Sequence, residues 1–374
     1  MRRIACILLL LLVGGCVPLS SAAPEEMIGR ARSTLPATPH GGARTITLAL
    51  AGDVMLARVV NEMIQEHGPL YPWGDLIPLV RGADLFLINL ECVIAESGKP
   101  FMPPRVFYFR ADPQAMQVLA EGGVDYVTLA NNHAMDYQGP ALLETIRGLD
   151  ERGIAHAGAG NNAEEAARFA LLEAQGVKVG VVAFADHFRE YAATPTGPGT
   201  NLISITTQPP DFSRVEQSIQ ATRAAGADLV VFSIHWGPNM RQAPPREFKE
   251  FARAALDAGA DIFHGHSAHI FQGVEIYKGK PILYDTGDLI DDYYVDMVYK
   301  NDQQFLFLVS ATGSRVERIE LVPVLISQAQ ANIARGAAVD PILERMQSLS
   351  GAMGTELRRE GDRLVIDFVE RDSN

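Results

Sequence analysis

Five of the nine histidines in the 374-residue chain sit just beyond apolar runs: His133, His235, His264, His266 and His269. Asp53, Glu91 and Asn132 occupy the same place relative to their own apolar runs. Imidazole, carboxylate and amide oxygen converging at one sheet edge suit a borderline divalent ion such as Mn, Zn or Fe, one or two per chain. A single histidine at a strand end is ordinarily a hydrogen-bonded core or loop residue, so the collective pattern carries the expectation. The other four, His40, His67, His156 and His187, fall in the N-terminal stretch, in helical or loop contexts, or after a strand of unclear role.

What must position these groups is a recurring unit. Four times a helix-like segment ends in Gly, a small residue and Asp, and an apolar run follows: Gly82-Ala83-Asp84 before Leu85, Gly123-Val124-Asp125 before Tyr126, Gly226-Ala227-Asp228 before Leu229, and Gly259-Ala260-Asp261 before Ile262. A fifth run, Thr45 to Ala51, enters Gly52-Asp53 directly. Glycine can take the left-handed turn that ends a helix. A continuous β-branched and aromatic run reads as a strand buried on both faces. Open α/β sheets place their ligand sites at the carboxyl ends of such strands. Segments 113–121, 140–151, 213–225 and 246–258 have apolar residues three and four apart and are predicted to be helices, with Pro113 and Pro140 in first-turn positions. The reading is an α/β chain.

The net charge of −13 argues against general electrostatic attraction to nucleic acid or anionic lipid, because the phosphate term needs a basic face, and leaves room only for a local basic or metal-bearing pocket. At the N-terminus, Arg2 and Arg3 precede the apolar run Ile4–Val13, which is short for a bilayer span and reads as an export signal. Val13-Gly14-Gly15-Cys16 has the pattern of a bacterial lipobox, with plain cleavage near Ser20–Ala23 as the alternative. The predicted organisation is therefore a signal segment over 1–16, a tether over 17–44, a main domain over 45–325, and a helical extension over 326–374 with a short terminal strand. The expected location is the cell envelope, on the periplasmic face, anchored to the membrane through lipid on Cys16. Cys6 leaves with the signal, which strands Cys92 without a disulfide partner.

Gly52-Asp53-Val54-Met55-Leu56, Asn89-Leu90-Glu91, Asn131-Asn132-His133-Ala134-Met135-Asp136, His235-Trp236-Gly237 and Gly265-His266-Ser267-Ala268-His269 resemble the poly-γ-glutamate capsule-synthesis (CapA-type) family in order and content. Val274-Glu275-Ile276-Tyr277 and Ile282 through Asp288 agree with it, so the resemblance spans residues 45–325. The family is in turn similar to calcineurin-like metallophosphoesterases, which implies a four-layer α/β/β/α sandwich with a metal centre at the strand ends. The resemblance implies Asp53, Glu91, Asn132, His235, His266 and His269 as metal ligands and His133 as the acid/base or phosphate-contacting histidine. Two departures from phosphoesterases stand out: Met55 where they carry a histidine, and Asn89-Leu90-Glu91 where they carry Gly-Asp.

Asp136, three residues past His133, could orient that imidazole or cap a turn. Arg58 could clamp an anion or stand solvated on the first helix. With them, the candidate catalytic set is His133, Asp136 and Arg58. Strand alternation sets His264 outside the ligand set, and Asp288, where the family commonly carries Asn, could be an extra acidic contact or a partner that supports a ligand from behind. Trp236 reads as packing at the rim, and Asp291-Asp292-Tyr293-Tyr294 as an exposed loop. Segments 304–310 and 316–322 read as a hairpin closing the second sheet. Three functions follow: metal-dependent hydrolysis or transfer in capsule-polymer synthesis or processing, a metal-dependent phosphoesterase, or a non-catalytic polymer-binding lipoprotein. The expected partners are an acidic polymer or phosphate-containing substrate, the membrane, and other capsule-synthesis proteins.

Overall fold

A computed structural model of the chain describes residues 44–368. The expected signal segment, the lipobox and all but the last residue of the expected tether lie outside them. The described residues fall in one compact unit. Among the described residues, no helix is long and apolar enough to cross a membrane.

Two mixed sheets stack face to face. In the first, strands Thr45–Val54, Leu85–Leu90, Tyr126–Thr128 and Ala155–Ala157 run parallel, and the hairpin Gln303–Thr312 and Arg315–Ser327 joins antiparallel beside Thr45. In the second, Val177–Ala185, Leu229–His235, Ile262–His266 and Lys280–Leu283 are parallel neighbours, with Ala170–Ala174 and Val274–Tyr277 at the edges. The hairpin read as closing the second sheet therefore belongs to the first. Thr45 pairs with Thr312 and Leu50 with Phe307, and apolar alternation alone does not say which sheet a hairpin will join.

The four layers follow from strand alternation. Ile46, Leu48 and Leu50 pack between the sheets against Val179, Val181, Leu229 and Val231. Ala49, Ala51, Phe86 and Ile88 face the opposite way, against a layer that includes the helices Arg58–His67 and Ala115–Gly122. On the far side, Phe232 and Phe263 meet Phe251, Ala255 and Leu256 of helix Arg246–Asp257 and Val215 and Ile219 of helix Asp211–Ala224. Apolar residues at i and i+4 supply each helix stripe. The result is the expected four-layer α/β/β/α sandwich.

The extension is less helical than its sequence suggested. Gln330–Ile333 is a strand paired with Arg315–Ser327, and the helix runs Val339–Gly351. Pro341 does not break that helix, because it lies in the first turn, where no backbone donor is required. Strands Arg358–Glu360 and Arg363–Asp367 complete the edge of the first sheet.

One irregularity positions the chemistry. Leu50 pairs with Leu87 but Asp53 pairs with Asn89, so the Thr45 strand carries one extra residue here. This β-bulge turns the Asp53 carboxylate, which strict alternation would send toward the helices, to the side of Asn89. Gly52 makes room for it: a Cβ there would lie 1.8 Å from the Gly287 carbonyl oxygen. That carbonyl accepts the Asp53 backbone N–H at 2.9 Å.

Candidate metal centre and cleft

The sheet registers bring the strand ends together. His235 lies opposite His266, and Asp53 lies opposite both Asn89 and Asp288. Two groups of ligand atoms result, each with its members within 4.8 Å of one another: Asp53, His235 and His266, and Asp53, Glu91, His269 and Asp288. Asp53 belongs to both. In the first group the two Nδ1 atoms are 3.0 Å apart, and each is 3.6 to 3.7 Å from Asp53 Oδ1. In the second, His269 Nδ1 is 2.9 Å from Asp288 Oδ1 and 3.6 Å from Asp53 Oδ2, with its Nε2 3.9 Å from Glu91 Oε1. His269 adopts φ of 58°, a backbone conformation that non-glycine residues take mainly where function or a tight turn holds them.

Whether these residues fit an ion is tested by their unused valences. Asp53 Oδ2, Glu91 Oε1, Asn132 Oδ1, His235 Nε2 and Asp288 Oδ2 are all buried without a hydrogen-bond partner. Buried polar atoms are nearly always paired, and five orphans where the strand ends of the two sheets meet match a cation's coordination needs. The remaining valences are occupied. Asn89 Nδ2 donates to Asp53 Oδ1 at 2.7 Å, Tyr293 Oη donates to Glu91 Oε2 at 3.0 Å, and Ser233 Oγ lies 3.1 Å from His266 Nε2. Such outer partners fix ligand orientation.

Electrostatics agree. Burial, then the Asp53 charge, pushes Glu91 well above the usual carboxylate range. Burial, then Asp291, does the same to Asp288. Burial holds His235 and His266 well below the ordinary histidine value. Burial also pulls His269 down, but Glu91 and Asp53 outweigh it and the net shift is upward. Asp285, which accepts the Ala268 and Gly287 backbone N–H groups, is raised to about 8 by burial.

These shifts set the pH response of the metal-free protein. An acid whose folded value is raised stabilises at low pH and loses that contribution as pH climbs through the folded value. Asp285, Glu91, Asp288 and His269 all act in this direction. His235 and His266 act oppositely, but only below about 6.5. From about pH 6.5 to pH 8 the Tm of chelator-treated protein should therefore fall, by the equivalent of about 2 kcal/mol. Scanning calorimetry checks it: added Mn should reverse the trend, and a flat Tm without metal would contradict it.

Beside the ligand groups lies a cleft of about 640 Å³ whose wall includes Arg58, Asn132, His133, Asp136 and His269. Asp136 Oδ2 sits 2.6 Å from His133 Nδ1 and accepts the Phe109 N–H, while its Oδ1 accepts from the Tyr191 hydroxyl at 3.1 Å. That pairing places the proton on Nδ1 and leaves Nε2, 3.9 Å from Glu91 Oε1, as the free base. Phe109 stacks on the imidazole at 4.0 Å. The Arg58 guanidinium meets Asp292 at 3.3 Å and lies 5.7 to 5.9 Å from the rings of Phe107, Phe109 and Tyr293.

The structure thus gathers Asp53, Glu91, His235, His266 and His269 at one point, and places Asn132, His133, Asp136 and Arg58 on the adjoining cleft. It corrects two expectations. Asp291 and Asp292 are not in an exposed loop: Asp291 is buried, and the Asp292 side chain is 4% exposed beneath Arg58. Tyr293 bonds Glu91, and only Tyr294 stands out. His264 shares a face with His266, two residues along the strand, and is kept out by depth: its Nε2 is 3.2 Å from Thr286 Oγ1. Trp236 is buried and donates to the Tyr284 carbonyl. The sequence reading missed Tyr191, Tyr293 and the chain Asp53–Asn89–Asn131–His133, in which Asn131 donates to Asn89 Oδ1 and accepts the His133 N–H. It also missed the Asp186–His187 pair beside His235; the pair follows strand Val177–Ala185, an interior strand of the second sheet.

Fold and site together define an α/β sandwich with a cluster of possible metal ligands at the strand ends. The chain belongs to the bacterial capsule synthesis protein PGA_cap family, whose model matches residues 47–293. It is 28% identical over 369 residues to a probable polyglutamine synthesis accessory protein of Mycobacterium tuberculosis, covering 87% of this chain and 96% of that one. It is 29% identical over 256 residues to the capsule biosynthesis protein CapA of Bacillus anthracis, covering 68% of this chain and 61% of that one. Among solved structures, the sulfate thiohydrolase SoxB of Thermus thermophilus aligns with 12% identity and a TM-score of 0.41, over 87% of this chain and 63% of that one.

Proposed function

We propose that this protein acts in the synthesis or processing of a capsule polymer of the poly-γ-glutamate type, through metal-dependent hydrolysis or group transfer in the cleft. Five orphaned buried ligand atoms around a shared Asp53 carry the reading. Asp53, His235 and His266 would hold one divalent ion, and Asp53, Glu91, His269 and Asp288 a second, with Asn132 at the cleft side. A Mn, Zn or Fe ion supplies Lewis acidity that polarises an acyl or phosphoryl oxygen and acidifies water. His133 moves the proton at Nε2, and Asp136 holds its tautomer through Nδ1. Tyr191 and the Phe109 N–H keep Asp136 in place, and Phe109 shields the imidazole from bulk water.

A metal-dependent phosphoesterase is the second reading, favoured by the His133–Asp136 pair beside the ligand cluster. Mn-loaded protein offered poly-γ-glutamate and generic phosphodiesters separates the two. Polymer cleavage or transfer supports the first, phosphodiester hydrolysis alone supports the second, and turnover of neither leaves a binding lipoprotein. The anchor belongs to the same proposal: the protein is exported and held at the membrane through Cys16. A Cys16→Ser form should partition from the membrane to the soluble fraction, and unchanged fractionation on immunoblots would refute the anchor.

A further inference from the structure

Among the described residues, the six most exposed large apolar side chains all fall on two loops. Met102, Val106 and Phe107 are 67%, 88% and 57% exposed, and Tyr294, Met297 and Val298 are 88%, 70% and 79% exposed. The next, Val59, is 45% exposed. Val106, Phe107 and Tyr294 share the wall of the cleft, so the two loops meet at its mouth.

The charge pattern of the first loop departs from that of the chain. Residues 97–111 contain Lys99, Arg105 and Arg110 and no acid, in a protein of net charge −13. Arg105 pairs with Glu190 and Arg110 stacks on Tyr137, while Lys99 is exposed. In the second loop Asp296 is turned onto its own backbone, accepting the Val298 and Tyr299 N–H groups, and Lys300 follows. Exposed aliphatic and aromatic side chains interleaved with cations are the composition of a surface that sits in a lipid interface. A locally basic loop on an acidic protein is attracted by anionic headgroups, while the acidic remainder is turned away from them.

We propose that the loops around Met102–Phe107 and Tyr294–Val298 rest on an anionic bilayer, so that the cleft mouth opens at the headgroups. The arrangement goes beyond a tether, which would hold the domain near the membrane without choosing the face it presents. The site would then draw its substrate from the membrane surface.

Tryptophans added one at a time test it in the full chain. Phe107→Trp and Val298→Trp, each compared with Leu171→Trp on the Ala170–Ala174 strand, are mixed with phosphatidylethanolamine–phosphatidylglycerol vesicles carrying bromine on the acyl chains. The buried Trp73 and Trp236 give the same background in all three proteins. The expected result is a blue shift and about a twofold quenching of the added emission at 107 and 298, with none at 171. Phosphatidylcholine vesicles should quench several-fold less, and salt should weaken the effect. Equal emission at all three positions overturns the proposal, as does equal quenching on phosphatidylcholine. Quenching seen only with native membranes and lost after protease treatment would assign the face to a membrane protein, and overturns it too.

Discussion

Chain purified with Asp53→Ala should carry no tightly held transition metal, while His266→Ala should keep about half the wild-type content. The difference follows from the geometry. Asp53 is common to both ligand groups, one oxygen toward His235 and His266 and the other toward His269. His266 belongs only to the first. Its loss leaves Glu91, His269, Asp288 and Asp53 intact, enough for an oxygen-rich site with one imidazole. His235→Ala should resemble His266→Ala, and His269→Ala should spare the other position. Elemental analysis of the four variants beside wild type decides it: equal losses everywhere would mean a single ion, and metal-free wild type would remove the centre altogether. The variants should fold, since each removes a buried polar group whose desolvation a bound ion would offset.

Activity should respond to a different pair. His133→Ala is expected to lower kcat by about 10² to 10⁴-fold with metal content unchanged, the usual range for a positioned proton-transfer group. Asp136→Asn should give a smaller fall, because an amide still accepts at Oδ1 from Tyr191 but no longer selects the Nδ1–H tautomer. The control is the metal itself: a His133 variant that lost its ions would make His133 a ligand, and a full rate without His133 would leave the proton to water. Measuring kcat and metal content on the same preparation keeps the two roles apart.

Much of this was legible before any coordinates. The Gly-small-Asp units mark real helix-to-strand junctions, and the polar residues after Ile88, Ala130, Ile234 and Phe263 do lie at strand ends. What escaped was whatever depends on register between distant segments. Asp288 and Asp53 are neighbours because a three-residue strand, Asp288–Ile290, pairs beside Thr45–Val54. Tyr293 reaches Glu91 across 202 positions of chain. Tyr191 reaches Asp136 from a short turn of 3-10 helix with no motif of its own. Local composition misled most at Asp291–Tyr294, where consecutive acids and tyrosines read as solvated although two carboxylates fold under the cleft wall. No periodicity in a single strand reports whether its partner lies in the same sheet or the facing one, which is why the terminal hairpin was placed on the wrong layer.

The extra residue between Leu50 and Asp53 has a consequence for how this centre can vary. It works as a phase shifter: upstream of it the strand alternates so that leucines fill the space between sheets, and downstream the same alternation is offset by one place. Straightening the bulge at constant length would leave the hydrophobic filling untouched and rotate a carboxylate into the oily layer of the Arg58–His67 helix. The irregularity itself, and the glycine at 52 that makes room for it, is therefore what this stretch must keep.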